Sequence, residues 1–118
     1  MEIERFEQLE VWKAAHDLVL RVYKSTLKMP SEEKFGLISQ MRRATVSVPA
    51  NITEGFKRRT KPDKIHFYNI AQASLEELRY YFILCRDLGF KIDHGPLADQ
   101  ADRVSRMLYG LMSSVASK

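Results

Sequence analysis

The sequence predicts an all-α fold, an antiparallel up-down-up-down four-helix bundle. Apolar residues recur at alternating three- and four-residue spacing in four segments, and proline, glycine and small polar residues separate these segments. No segment sustains the two-residue alternation of a β-strand. Short connections favour antiparallel neighbours, and 118 residues suit one domain over residues 1–118.

The first helix is expected from about Glu4 to Lys28. Its spacing predicts a core-facing row: Leu9, Trp12, Ala15, Val19, Val22 and Thr26. Further apolar residues outside this row give the helix a second apolar face. Pro30 ends the helix, and Ser31 is the expected N-cap of the next one.

The second helix, from about Glu32 to Arg58, contains Pro49. A proline inside a helix costs about 3 kcal/mol and bends it, so we expect a kink there. One sector of this helix is apolar: Leu37, Met41, Ala44, Val48 and Ile52. A separate sector is polar: Arg43, Ser47, Asn51, Glu54 and Arg58.

The third helix is expected to begin after Asp63 as N-cap and to end at Gly89. Its predicted core row is Tyr68, Ala71, Leu75, Leu78, Phe82 and Cys85. The fourth helix should begin at Pro96, with the row Leu97, Ala101, Val104, Leu108, Leu111 and Val115. The first and third helices carry surplus apolar surface, which predicts a homo-oligomer.

Composition argues against several classes of function. One cysteine, Cys85, allows no internal disulfide or cysteine-built zinc site, and three histidines in separate segments predict no metal site. No glycine-rich phosphate loop is present, so we expect no cofactor. No apolar run is long enough to cross a bilayer, and the charged N-terminus lacks a signal peptide, so a cytoplasmic protein without a membrane partner is expected.

Positive charge is concentrated in one fifth of the chain. Residues 42–66 carry seven Lys or Arg and two acids, a net +5, whereas the rest sums to −1. This focus predicts contact with RNA or DNA. The candidate binding residues are Lys57, Arg58, Arg59, Lys61, Lys64 and Arg42. A solvated loop that only keeps the protein soluble is the alternative.

The polar sector favours an internal or intersubunit network. Arg43 is expected to pair with Glu54 or Glu77, within or between subunits, although phosphate contact is an alternative. Asn51 is expected to satisfy backbone groups freed by Pro49. The predicted network is Arg43, Ser47, Asn51, Glu54 and Glu77.

Three aromatic residues follow the turn between the second and third helices, which carries most of these cations and is called the basic turn below. His66, Phe67 and Tyr68 can stack on unpaired bases, although Phe67 and Tyr68 are expected in the core.

The linear pattern resembles a known family. Phe6-x-x-Leu9-x-Val11-Trp12 is followed by Pro30-x-x-Glu33-x-Phe35-Gly36-Leu37-x-x-Gln40-x-Arg42-Arg43-Ala44, then by Ser47-Val48-Pro49-Ala50-Asn51-Ile52-x-Glu54-Gly55 and Ala73-Ser74-Leu75-x-Glu77-Leu78. Over residues 6 to 90 this resembles the bacterial four-helix-bundle family known as 23S rRNA intervening sequence protein. Thr53 departs from the alanine common there, but its hydroxyl can bond back to the Pro49 carbonyl.

The resemblance implies a cytoplasmic four-helix bundle that assembles into a ring-like homopentamer. A distant relative, the accessory protein of diversity-generating retroelements, forms a basic pentamer that binds nucleic acid and a reverse transcriptase. No catalytic activity is established for the family.

The leading functional expectation is a non-enzymatic homo-oligomer that binds RNA or other nucleic acid through a basic rim. A protein-interaction scaffold with a protein partner and no nucleic-acid role is the alternative. A minor alternative is a ribonuclease of the HEPN type, because Arg59 and His66 have that class's loose spacing; Pro62 interrupts the pair here.

Overall fold

The computed structural model describes residues 2–118, and over that range every regular element is helical. The helices are α1 (Glu10–Thr26), α2 (Leu37–Lys57), α3 (Lys61–Leu88) and α4 (His94–Ser117). The described chain measures 46 × 23 × 20 Å along its principal axes. The predicted all-α class, with four helices and no strand in residues 2–118, is confirmed. None of these helices is long and apolar enough to span a membrane.

Contacts between α2 and α3 fix their relative order. The Tyr81 hydroxyl lies 2.7 Å from Oε1 of Gln40, and the Ser74 hydroxyl lies 2.8 Å from that of Ser47. Going forward along α2 from Gln40 to Ser47, the contacted residue on α3 moves backward in the chain, from Tyr81 to Ser74. This is the contact order of helices that run in opposite directions, and it places the end of α2 beside the start of α3.

The predicted core rows are largely observed. All six row residues of α3 and all five apolar-sector residues of α2 are buried. In α1 the row is shifted: Val11 and Leu18, which were expected off the row, are buried, whereas Trp12 and Val19 are half-buried. In α4 the row is buried as far as Leu108 and half-buried beyond it.

The predicted start of the first helix is wrong. Residues Phe6–Gln8 form a single 3-10 turn, and α1 begins at Glu10. The Gln8 side chain accepts hydrogen bonds from the backbone N–H groups of Glu4 and Arg5, at 2.9 and 3.0 Å. Because the side chain satisfies these donors, the segment has a local alternative to an extended helix.

The start of α2 also differs from its prediction. Ser31–Glu33 is a separate 3-10 turn, and the Ser31 hydroxyl bonds to the Glu32 carboxylate rather than capping a helix. The Glu33 carboxylate instead accepts from the Leu37 N–H at 3.2 Å, at the first residue of α2. An acidic acceptor stabilises a helix N-terminus through both the hydrogen bond and the helix dipole.

The remaining helix ends show one confirmed prediction and two errors. Gly89 follows α3 with φ +79°, the left-handed conformation that favours glycine at a helix end. The N-cap of α3 is Thr60 rather than Asp63, because the Thr60 hydroxyl accepts from the Asp63 N–H at 3.2 Å. Helix α4 begins at His94, two residues before Pro96.

Pro49 lies inside α2, and helical structure continues past it to Lys57. The Thr53 hydroxyl donates to the Pro49 carbonyl at 2.9 Å, which confirms the expected back-bond. The bend expected at Pro49 stays a prediction.

Candidate nucleic-acid interface

The connection between α2 and α3 concentrates positive charge at one end of the bundle. Helix α2 ends at Lys57 and α3 begins at Lys61, so only residues 58–60 separate them. Lys57, Arg58, Arg59 and Lys61 are all exposed. A cation in the last turn of a helix is favoured by the helix dipole, which accounts for the position of Lys57.

Arg58 has partners within the chain. Its Nη2 lies 3.2 Å from a Glu54 carboxylate oxygen, an ion pair one helical turn away. Its guanidinium also lies over the Phe67 ring, 4.5 Å from the centroid. These contacts orient the side chain and neutralise part of its charge, so Arg58 is a weaker phosphate ligand than its neighbours.

Lys64 has a structural role that its charge alone does not reveal. Its Nζ donates to the carbonyls of Phe56 at 2.7 Å and Gly55 at 3.3 Å. Burial lowers the pKa of this amine. Lys64 therefore ties the start of α3 to the C-terminal carbonyls of α2, and two of its three N–H groups are already used.

Three of the candidate cations are exposed without an ion pair in residues 2–118: Lys57, Arg59 and Lys61. Acidic residues of the N-terminal segment lie near them. Glu2 lines the same cavity as Arg59 and Lys61, and Glu4 and Glu7 line a second cavity with Lys57. These carboxylates lower the local positive potential without neutralising any of the three cations at contact distance.

Arg42 does not belong to this cluster. It precedes Lys57 by 15 helical positions, which is about 22 Å along α2. Its Nε donates to the Thr26 hydroxyl at 3.0 Å and its Nη2 to the Tyr23 carbonyl at 3.4 Å. The guanidinium also lies 4.5 Å from the Tyr23 ring centroid. These contacts hold α2 against the end of α1, and nucleic-acid binding by Arg42 stays a prediction.

The polar sector of α2 forms a short network toward α3. The Asn51 amide donates to the Ser47 carbonyl at 2.8 Å and to its hydroxyl at 2.9 Å. The Ser47 hydroxyl bonds to that of Ser74 at 2.8 Å. Pro49 has no N–H group, so the Thr45 carbonyl loses its helical hydrogen-bond donor. Asn51, however, binds the carbonyl of Ser47 and not that of Thr45. Asn51 therefore binds backbone as expected, but at a different residue.

The ion pairs expected for Arg43 are not observed within residues 2–118. Glu54 pairs with Arg58 instead, and the Glu77 carboxylate accepts from the Tyr81 hydroxyl. Arg43 and Glu77 line the same groove as Ser47 and Ser74 but do not form an ion pair with each other. Arg43 is exposed, so it is available to a partner outside the chain.

The Tyr81 hydroxyl lies at the centre of contacts that the sequence did not suggest. Its single O–H group faces two acceptor oxygens, Oε1 of Gln40 and a carboxylate oxygen of Glu77. The hydrogen bond to Glu77, with burial, raises the pKa of Tyr81 to about 12. Only the tertiary pairing of α2 with α3 reveals this role for Gln40 and Tyr81.

The aromatic residues after the basic turn divide between core and surface. Tyr68 is buried, which rules it out for base stacking, and Phe67 is half-buried beneath Arg58. His66 is exposed and lies edge-on to Phe67 at 5.1 Å between ring centroids. No hydrogen bond joins Arg59 to His66 in the described chain. Residues 2–118 also contain no cluster of three potential metal ligands.

Comparison with known proteins gives two findings. The family model described as 23S rRNA-intervening sequence protein matches residues 7–110. A crystal structure from Bacteroides thetaiotaomicron, described as a protein with unknown function from the S23 ribosomal protein family, has a similar fold. Its TM-score is 0.78 at 20% identity, over 87% of this chain and 95% of that chain. Comparison with curated proteins gives no match.

Proposed function

Because this chain belongs to the 23S rRNA-intervening sequence protein family, we propose that it is a non-enzymatic, homo-oligomeric protein that binds RNA through the α2–α3 turn. The binding residues in this proposal are Lys57, Arg59 and Lys61. Arg58 contributes at the edge of the site, while Arg42 and Lys64 support the fold. The cytoplasm is the expected location.

The observation that carries the proposal is the presence of three exposed cations within five residues, with no ion pair in the described chain. Lysine and arginine bind phosphates in any base sequence, so such a site would favour polyanions without reading bases. Three phosphate contacts alone give a weak attraction, and the nearby glutamates weaken it further. Repetition of the turn in a homo-oligomer would raise the affinity by multivalency.

The direct test measures binding to a fluorescein-labelled RNA hairpin by anisotropy. The triple variant Lys57→Gln, Arg59→Gln, Lys61→Gln should bind at least about tenfold more weakly than the wild type at low salt. A control triple, Lys24→Gln, Lys91→Gln, Arg103→Gln, removes the same net charge from exposed positions outside the turn. Equal losses in both triples would attribute binding to net charge and refute the assignment to the turn.

The same assay, run as a competition, separates RNA from DNA. A DNA hairpin of the same sequence serves as competitor, and light scattering gives the subunit number, for which the family resemblance suggests five. Because the proposed protein is not an enzyme, the labelled hairpin should stay intact during the incubation. Cleavage that both Arg59→Ala and His66→Ala abolish would replace the binding proposal with a ribonuclease.

A protein-interaction scaffold is the second candidate, and exposed apolar side chains favour it. Phe35, Leu27 and Tyr109 are 90%, 77% and 70% exposed. Large exposed apolar side chains on a small helical protein are typical of docking surfaces. A scaffold would retain its partners in the basic-turn triple variant and would not bind the hairpin.

A further inference from the structure

A groove between α1 and α2 has a composition that the RNA proposal does not use. We call it the α1–α2 groove; its apolar side chains are Tyr23, Phe35, Ile38 and Val46, and its polar and charged ones are Lys34, Ser39, Arg42, Arg43 and Ser47. Phe35 is 90% exposed, Val46 42% and Tyr23 40%, whereas Ile38 is buried. The groove therefore presents an apolar surface to solvent.

The charges around this surface are of one sign. Lys34, Arg42 and Arg43 line the groove, no carboxylate lines it, and none of the three forms an ion pair in residues 2–118. Unpaired cations beside exposed apolar side chains favour an occupant that carries both apolar groups and carboxylates.

Arg42 is held in position before any partner arrives. Its bonds to Thr26 and to the Tyr23 carbonyl use two of its five N–H groups, and the Tyr23 ring supports the guanidinium plane. The remaining N–H groups can bind a carboxylate without further ordering of the side chain. A binding side chain that is already ordered lowers the entropy cost of association.

The shape of the groove favours a helical peptide. Along α2 it runs from Ile38 to Ser47, which corresponds to about 14 Å, or about nine helical residues of a partner. Ile38 and Val46 are aliphatic and suit peptide side chains, whereas the exposed rings of Phe35 and Tyr23 could also stack on a base, so competition with RNA is part of the test below.

The α3 face of a second copy of this chain is a poorer match. Its exposed apolar residues Tyr80 and Ile83 lie on α3 beside Glu76 and Glu77. Glu76 is already bonded to Arg79 at 2.8 Å, and Glu77 to Tyr81.

We propose that the α1–α2 groove binds a short acidic amphipathic helix of another protein. One apolar side chain of that helix packs against Phe35 and Val46, and flanking carboxylates pair with Lys34, Arg42 and Arg43. This surface is separate from the basic turn, so the protein could hold RNA at one end and a protein partner along its side.

Selection from a displayed random peptide library, with the full chain as bait, tests the proposal without assuming a partner sequence. Enriched peptides should combine an aromatic or aliphatic residue with flanking Asp or Glu at helical spacing. Their affinity, measured by anisotropy with labelled synthetic copies, should fall at least about tenfold for Phe35→Ala, Lys34→Glu, Arg43→Glu. Arg42 is left intact because it supports the fold.

The matched control is Tyr109→Ala, Arg103→Glu, Arg106→Glu, which removes one exposed aromatic residue and reverses two exposed cations on α4. It should bind the peptides like the wild type. The proposal fails if nothing is enriched, if enriched peptides lack acids, or if both triples bind equally. Displacement of bound peptides by the RNA hairpin would show one shared polyanion site. A smaller oligomer for the groove variant alone would assign the groove to a second copy of this chain. Either result overturns the proposal. The peptide affinities of the two triple variants do not depend on whether the basic turn binds RNA.

Discussion

Replacing Gly55 by alanine should destabilise the protein although alanine is the better helix former. Gly55 is buried in the last turn of α2, immediately before the basic turn. A Cβ atom there would lie 2.5 Å from Cε1 and 2.8 Å from Cδ1 of the Tyr68 ring. These distances are far inside van der Waals contact, and the Tyr68 ring is buried, so it has little room to move.

The expected magnitude follows from two opposing terms. Overpacking a well-packed core typically costs about 1–3 kcal/mol, whereas alanine in place of glycine in a helix contributes about 1 kcal/mol of stabilisation. The net loss for Gly55→Ala should be about 0–2 kcal/mol, and the 2.5 Å approach to a buried ring places it toward the upper end. For a chain of 118 residues, each 1 kcal/mol corresponds to roughly 4 °C, so Tm should fall by up to roughly 8 °C.

Gly110→Ala is the matched control. Gly110 lies within α4 and is exposed, and a Cβ atom there would meet nothing within 4 Å apart from its own helix backbone and chain neighbours. Only the propensity term applies, so this variant should be more stable by up to about 1 kcal/mol. Urea denaturation followed by circular dichroism measures both changes. Equal shifts of one sign would refute the argument that the Tyr68 ring decides the outcome.

The remaining predictions concern local contacts. Glu77→Gln should lower the pKa of Tyr81 from about 12 toward its ordinary value of 10, and ultraviolet titration of tyrosinate should detect one fewer late-titrating tyrosine. Between these pH values the folded state keeps a proton that the unfolded state loses. The stability that this bond contributes is therefore fully present below pH 10 and is lost as the pH rises to about 12. An unchanged titration would contradict this. Thr60→Ala should cost about 1 kcal/mol, because the Asp63 N–H loses its acceptor, and urea unfolding checks it. Arg42→Gln should destabilise the fold by about 1 kcal/mol while leaving RNA binding unchanged; a loss of RNA affinity would return Arg42 to the binding site.

The sequence predicted the fold well where periodicity is long and unbroken. The row from Tyr68 to Cys85 is buried throughout, because α3 packs against both α2 and α4 along its length. The start of α1 was missed because a single side chain, that of Gln8, satisfies local backbone donors. Local polar bonds of this kind leave no periodic signal.

The candidate site was predictable in composition but not in detail. The sequence located the charged turn, yet it assigned Lys61 and Lys64 the same role. Only the fold shows that the Lys64 amine reaches the last carbonyls of α2 whereas Lys61 remains exposed. Within the described chain the pairing of Arg43 with Glu54 is not observed, since Glu54 has a closer cation one turn away in Arg58; pairing between subunits stays a prediction.

The salt dependence of RNA binding tests the central claim most directly. If Lys57, Arg59 and Lys61 contact phosphates, the plot of log affinity against log salt should be shallower in their glutamine variant by about 2 for each protomer that contacts the RNA. The control triple Lys24→Gln, Lys91→Gln, Arg103→Gln should keep the wild-type slope. Parallel lines for the wild type and the turn variant would show that these three cations do not bind phosphate.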